Sequence, residues 1–167
     1  MSWRRALPWL LLFVVLSAAG ARGLGLPGKD EAAVDSGRIT RVVDGDTVHV
    51  AVAGRDETVR YIGVDTPETK KPGAAVECFG KAASAANARL VSGELVRLRF
   101  DAERRDRYGR LLAYLFRRRD GLFVNAALLR GGFATTLAIA PNLAQAGRFR
   151  TLERRARARG KGLWRAC

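Results

Sequence analysis

The sequence has 167 residues, of which 48% are apolar and 28% charged, enough for one domain with a real core and incompatible with wholesale disorder. Lys and Arg outnumber Asp and Glu 30 to 16, a formal charge of +14. That surplus favours polyanions, nucleic acid before an anionic membrane, with a merely solubilising surface as the plain alternative.

Arg4 and Arg5 open the chain, and no further charge follows until Arg22. The apolar stretch Ala6 to Ala21 between them closes on Ala19-Gly20-Ala21, which is the pattern of a secretory signal. Residues 1–21 are therefore expected to be a cleaved signal peptide. The alternative is an uncleaved membrane anchor, although a spanning helix needs roughly 20 residues. Residues 22–37, with Gly, Pro and mixed charge, read as a linker to a domain over 38–167. Both readings of the leader put the domain outside the cytoplasm, periplasmic or secreted if cleaved and membrane-attached if not. Cys78 and Cys167 fit an exported protein with one disulfide, but spacing does not bring them together, and two free thiols remain the alternative.

Arg38 to Val52 alternates and is rich in β-branched residues, interrupted by the turn signal Asp44-Gly45-Asp46. A turn at Gly54 to Glu57 precedes a third strand, Thr58 to Val64. Asp65 to Val76 holds two prolines and no period, so it is a loop. The Ala-rich run Gly80 to Ser92 is helical, and Leu95 to Phe100 alternates as a strand. Leu111 to Phe116 and Leu122 to Val124 flank a turn closed by Asp120-Gly121, a hairpin signal. Asn125 to Arg130 is a short helix stopped by Gly131-Gly132, and Ala144 to Arg159 is a basic helix. The pattern is a small α+β fold compatible with a five-stranded OB-type barrel and about three helices, and one such domain is expected to act as a monomer.

Chemistry gathers in a few clusters. Asp44-Gly45-Asp46-Thr47 puts two carboxylates in one tight turn, and Arg60 lies on the strand leading to Asp65-Thr66-Pro67-Glu68. Asp106-Arg107-Tyr108-Gly109-Arg110 comes just before another strand. Each is weak alone. Together, VVDGDTV, RYIGVDTPET, DRYGRLLAY, FVNAALLRGGFA and GLW, in that order from about Ile39 to Trp164, resemble the staphylococcal nuclease (thermonuclease) family.

The resemblance implies a calcium-dependent nuclease acting on DNA or RNA. Asp46 and Asp65 would supply carboxylate ligands to Ca2+ and Thr66 its carbonyl, which suits a cation that takes several hard oxygens. Glu68 would act as general base, and Arg60 and Arg110 would hold the scissile phosphate. Arg107 and Tyr108 would contact the terminal phosphate of the bound nucleotide. Asn125 and Arg130 match positions that hold the C-terminal segment by hydrogen bonds, and Trp164 matches a packing tryptophan. Asp44 and Asp106 read as turn residues, and His49 as a surface residue.

One departure concerns the base. Where the family carries aromatic residues after the second glycine, this chain reads Ala134-Thr135-Thr136-Leu137-Ala138-Ile139-Ala140. Two rival functions stand beside the enzyme. A non-catalytic OB-type nucleic-acid-binding module would lack the acidic and Arg residues, which are present. A membrane-surface role for the Arg-rich helix would need more bulky apolar residues than that helix offers.

Overall fold

The computed structural model describes residues 34–69 and 75–167, so the signal or anchor segment and most of the linker lie outside the described residues. Five strands form a closed barrel: β1 (Val34–Val42), β2 (Thr47–Val52), β3 (Arg55–Tyr61), β5 (Leu95–Arg99) and β6 (Leu111–Arg117), in the order β1-β2-β3-β6-β5. All neighbours are antiparallel except β3 and β6, which run parallel with Val59 opposite Leu111. A register shift between Ile39 and Arg41 bends β1 so that it pairs with both β2 and β5. Alternation explains the strands: β5 buries Val96 and Leu98 and turns Leu95, Arg97 and Arg99 outward. Val48, Val50, Val59 and Leu115 join them inside.

Four boundaries differ from the sequence reading. Residues 34–37 are strand rather than linker, because Gly37 lies opposite both Val52 and Val96. β3 begins at Arg55, since Ala53 and Gly54, both at positive φ, make a two-residue hairpin turn. The expected strand Thr58 to Val64 breaks after Tyr61. Its last part becomes β4 (Gly63–Asp65), which pairs with β7 (Thr135–Leu137), a strand not anticipated. The expected strand Leu122 to Val124 is reduced to a single bridge between Phe116 and Phe123. Val124, Asn125, Leu128 and Leu129 are buried at helical spacing, and that face makes Val124 the first residue of a helix.

The helices are α1 (Gly80–Val91), α2 (Val124–Gly131), α3 (Ala146–Ala158) and one turn, α4 (Leu163–Ala166). Gly132 ends α2 in the left-handed conformation at φ 70. Tyr114, Phe123 and Phe149 form an aromatic cluster with centroids 5.6–6.1 Å apart, joining β6 to α2 and α3. Among the described residues no helix is long and apolar enough to cross a membrane. At the C-terminus Leu163 donates its N–H to Gly132 O at 2.9 Å, and Cys167 is bonded to Cys78 with their Cα atoms 6.0 Å apart. The Arg157 guanidinium lies 5.1 Å over the half-buried Trp164 ring. Arg130, expected to hold this segment, is instead exposed and has no side-chain hydrogen bond among the described residues.

Asn125 does bind as expected. Fully buried, it accepts from Leu115 N at 3.0 Å and donates to Ile62 O at 2.9 Å, pinning α2 to β6 and to the start of the β4 segment. Asn125→Ala leaves two buried backbone groups unpaired, each worth about 1–3 kcal/mol. Urea unfolding should show a loss of about 2–4 kcal/mol, and a loss below 1 would mean that the segment does not depend on this carboxamide.

Candidate active site

Three separate stretches meet at one end of the barrel. The β1–β2 turn supplies Asp44 and Asp46, β3 and β4 supply Arg60 and Asp65 with Thr66 and Glu68 just beyond, and the loop before β6 supplies Arg110. All of these line one almost wholly polar pocket. Asp46 is buried, and its Oδ2 accepts from Thr66 N at 2.8 Å and Thr66 Oγ1 at 2.9 Å, with Arg60 Nη1 at 3.2 Å. Thr47 Oγ1 donates to the other oxygen at 3.1 Å. Gly45 is required here because a Cβ would lie 2.6 Å from Thr66 Oγ1. Asp44 is the turn residue expected of it, accepting from Asp46 N at 3.0 Å.

Arg60 donates from Nη1 to Val64 O at 2.7 Å and from Nη2 to Asp65 Oδ1 at 2.7 Å, which fixes its fork across the β3–β4 corner. Asp65 is half exposed in its side chain, so it faces solvent where Asp46 does not. Glu68 Oε1 accepts from Thr69 N at 2.7 Å, while Glu68 N donates to Glu77 Oε2 at 3.0 Å.

Asp106 does more than turn the chain. Its carboxylate accepts from Tyr108 N and Arg110 N at 3.0 Å and from Arg110 Nε at 2.7 Å. Those bonds outweigh the partial desolvation that raises Asp106, and its carboxyl is held below the usual carboxylate range. With Nε engaged, the Arg110 guanidinium lies 5.5 Å over the Tyr108 ring, and its two terminal amino groups have no hydrogen-bond partner among the described residues. The Asp–Arg spacing of four was the signal for this grip. Tyr108 is 67% exposed, with the Arg107 guanidinium 4.8 Å over its ring and Arg107 Nη2 donating to its hydroxyl at 2.6 Å. Where aromatic residues were missing, Leu137 and Ile139 line a hollow shared with Arg60, Arg110 and Leu112.

Asn87 escaped the sequence reading. It is fully buried on α1, donates to Asp44 O at 2.9 Å and accepts from Tyr61 OH at 2.9 Å, so it carries the acidic turn from below. Its signal was a lone polar residue on the inward face of an Ala-rich helix. His49 lies on the barrel wall, its ring between Arg41 Nη2 at 2.7 Å and Asp56 Oδ2 at 2.8 Å, and does not line the pocket.

The donor chemistry of the pocket fits a hard cation. Among the described residues no three His, Cys, Asp or Glu side chains gather into a closed cage. Four carboxylates line the pocket, those of Asp44, Asp46, Asp65 and Glu68, and a cation that takes six to eight oxygens would complete its shell with water and substrate. Burial pushes the Asp46 carboxyl up to about 6, against the pull of Arg60. It is a buried charge that its neighbours do not fully compensate.

A closed OB-type barrel with carboxylates and guanidiniums sharing a rim pocket defines the class of protein. A family model for staphylococcal nuclease homologues matches residues 58–166, and the chain belongs to that family. It is 42% identical over 128 residues to Endonuclease YncB of Bacillus subtilis, covering 75% of this chain and 60% of that protein. It is 41% identical to the SPbeta prophage-derived endonuclease YokF of the same organism, over 75% of this chain and 43% of that one. To the thermonuclease of Staphylococcus hyicus it is 37% identical, over 76% of this chain and 74% of that protein. The chain thus spans between two fifths and two thirds of the two Bacillus relatives.

The raised Asp46 carboxyl has a signed consequence. Unfolded it titrates near 3.8 and folded near 6, so the folded chain holds its proton more tightly. In metal-free protein its contribution to stability is full below pH 4 and is lost as pH rises through about 6. Asp46→Asn should be more stable than the parent at pH 7 in chelator by on the order of 2–3 kcal/mol, the difference vanishing near pH 4. Urea melts of both proteins across that range test this, and parallel pH profiles would remove burial as the cause.

Proposed function

We propose that the chain is a calcium-dependent nuclease, hydrolysing phosphodiester bonds of DNA or RNA outside the cytoplasm. One observation carries the reading: three aspartates, a glutamate and two guanidiniums converge on a single polar pocket from three stretches of chain. The family, and the endonuclease and thermonuclease names of the relatives, support the reaction class.

Asp46, Asp65 and the Thr66 carbonyl would hold the calcium. Bound there, the ion supplies positive charge to a phosphate oxygen and acidity to an attacking water. Glu68 takes the proton from that water, its carboxylate aimed by the Thr69 N–H. Arg110 offers its two terminal amino groups to the phosphate oxygens while Asp106 keeps its stem from swinging away. Arg60 faces the same phosphate from the β3–β4 corner. Both meet negative charge that grows as water adds to phosphorus, which is where fixed donors lower a barrier most. An acyl or glycosyl substrate would give two guanidiniums nothing to bind.

Export is part of the proposal. The leader supports it, and so does the Cys78–Cys167 bond, since such bonds persist in oxidising compartments. The chain acts as a monomer, with membrane attachment through the leader as the alternative to release.

Labelled single-stranded DNA and RNA should be cut with calcium and left whole in chelator. Glu68→Gln should still bind substrate but turn over about 10² times more slowly or worse. Arg60→Lys and Arg110→Lys should lose single-turnover rate far more than affinity, because one ammonium cannot replace a planar fork. Binding without cleavage in the parent would leave a nucleic-acid-binding barrel, and full activity in chelator would end the metal mechanism.

A further inference from the structure

The nuclease reading makes Glu68 the base, and a short exposed segment outside the barrel grips its main chain. Residues 75–78 are exposed, and the barrel's strands do not reach them. Glu77 nevertheless clasps the Glu68 main chain from both sides. Its N–H donates to Glu68 O at 2.9 Å and its Oε2 accepts from Glu68 N at 3.0 Å. Glu68 Oε1 is in turn fixed by the next amide, Thr69 N, at 2.7 Å. Moving Glu77 therefore moves the backbone that carries both the carboxylate and the amide bonded to it.

Cys78 is the next residue, and its disulfide to Cys167 is the covalent tie between this segment and the C-terminal turn α4. That turn is anchored in its own right, by Leu163 N to Gly132 O at 2.9 Å and Cys167 N to Leu163 O at 3.0 Å. On the other side of Cys78, Phe79 is held at φ 68, a left-handed conformation unfavourable for a bulky residue, and its ring stacks on Phe133 at 5.7 Å. Such a backbone persists only where its surroundings over-determine it. The disulfide and the stack, at the two residues directly after Glu77, supply that determination.

We propose that the Cys78–Cys167 bond is a positioning brace for Glu68: it holds Glu77 where its clasp aims the base, and so sets the rate of the chemical step rather than the affinity for nucleic acid. The inference rests on the nuclease reading. Glu77 and Cys78 are positioning residues, since neither lines the polar pocket. Small displacements of a reacting group are costly in rate, with about 1 Å worth up to 10²-fold. Both cysteines are exposed, so a reductant can reach the bond without unfolding the chain.

The experiment uses the full chain, oxidised, reduced with alkylation, and as Cys78→Ser with Cys167→Ser, each in the parent and Glu68→Gln backgrounds. Single-turnover cleavage, substrate affinity in a non-cleaving buffer, and far-UV circular dichroism are followed. In the parent background, loss of the bond should lower the rate about tenfold or more while affinity changes less than about twofold and the spectrum stays folded. In the Glu68→Gln background the same loss should leave the residual rate unchanged, because the brace has nothing left to aim. Amide exchange at Glu68 and Thr69 should quicken on reduction while that at Thr66 does not. An unchanged rate in reduced parent protein overturns the proposal, as does an equal fall in both backgrounds, or a lost folded spectrum. Failure of the nuclease reading is separate and visible earlier: the oxidised parent would not cleave, or Glu68→Gln would cleave like the parent.

Discussion

A carboxylate taken out of water must find partners, and at the rim of this barrel one buried carboxylate finds them on a different stretch of chain. Asp46 draws in the amide and hydroxyl of Thr66, twenty residues on, and lies beside the Arg60 guanidinium. That attachment brings the β1–β2 turn against the loop that carries Asp65 and Glu68. It also explains the small residue between the two aspartates, where a side chain would collide with Thr66. The site is thus assembled by the demand of one desolvated charge. The same burial leaves that charge only partly satisfied by its neighbours.

Much of this was legible in the sequence because the relevant signals are local. The turn Asp44-Gly45-Asp46, the alternation of Leu95 to Phe100, the helical run from Gly80 and the stop at Gly131-Gly132 each follow from the chemistry of a few neighbouring residues. The motifs then placed Asp46, Asp65, Thr66, Glu68, Arg60 and Arg110 in one family pattern, and the structure gathers all six around one pocket. What was missed is non-local. The pairing of β4 with β7 depends on two three-residue segments seventy residues apart, too short to show a period. Val124 was read as strand on the strength of the Asp120-Gly121 hairpin signal, yet the buried spacing through Leu128 and Leu129 made it helix. Asn87 and the full reach of Asp106 are partners of partners, visible only once the chain is folded. Arg130 shows the opposite failure, a matched position whose side chain here holds nothing.

The basic surplus divides into two populations. Some arginines are spent on structure: Arg117 binds Leu90 O and Asp120, Arg105 binds Glu57, and Arg104 binds Asp35. Around α3 the exposed guanidiniums of Arg150, Arg155 and Arg159 have no acidic partner among the described residues. Paired arginines add little long-range field, so the attraction toward a polyanion comes chiefly from the second group. That attraction acts equally before and during reaction, which separates it from the two guanidiniums in the pocket.

The parallel contact between β3 and β6 sets a timetable for the chain. Val59 cannot meet Leu111 until the intervening fifty-odd residues have been made and have moved out of the way, and β1 likewise waits for β5. Local hairpins such as β2–β3 can form early, but the cylinder closes only when distant segments meet, and topologies of that kind fold in milliseconds to seconds rather than microseconds. During that interval the pocket is incomplete, since Arg110 joins Asp46 and Arg60 only when β6 comes alongside β3.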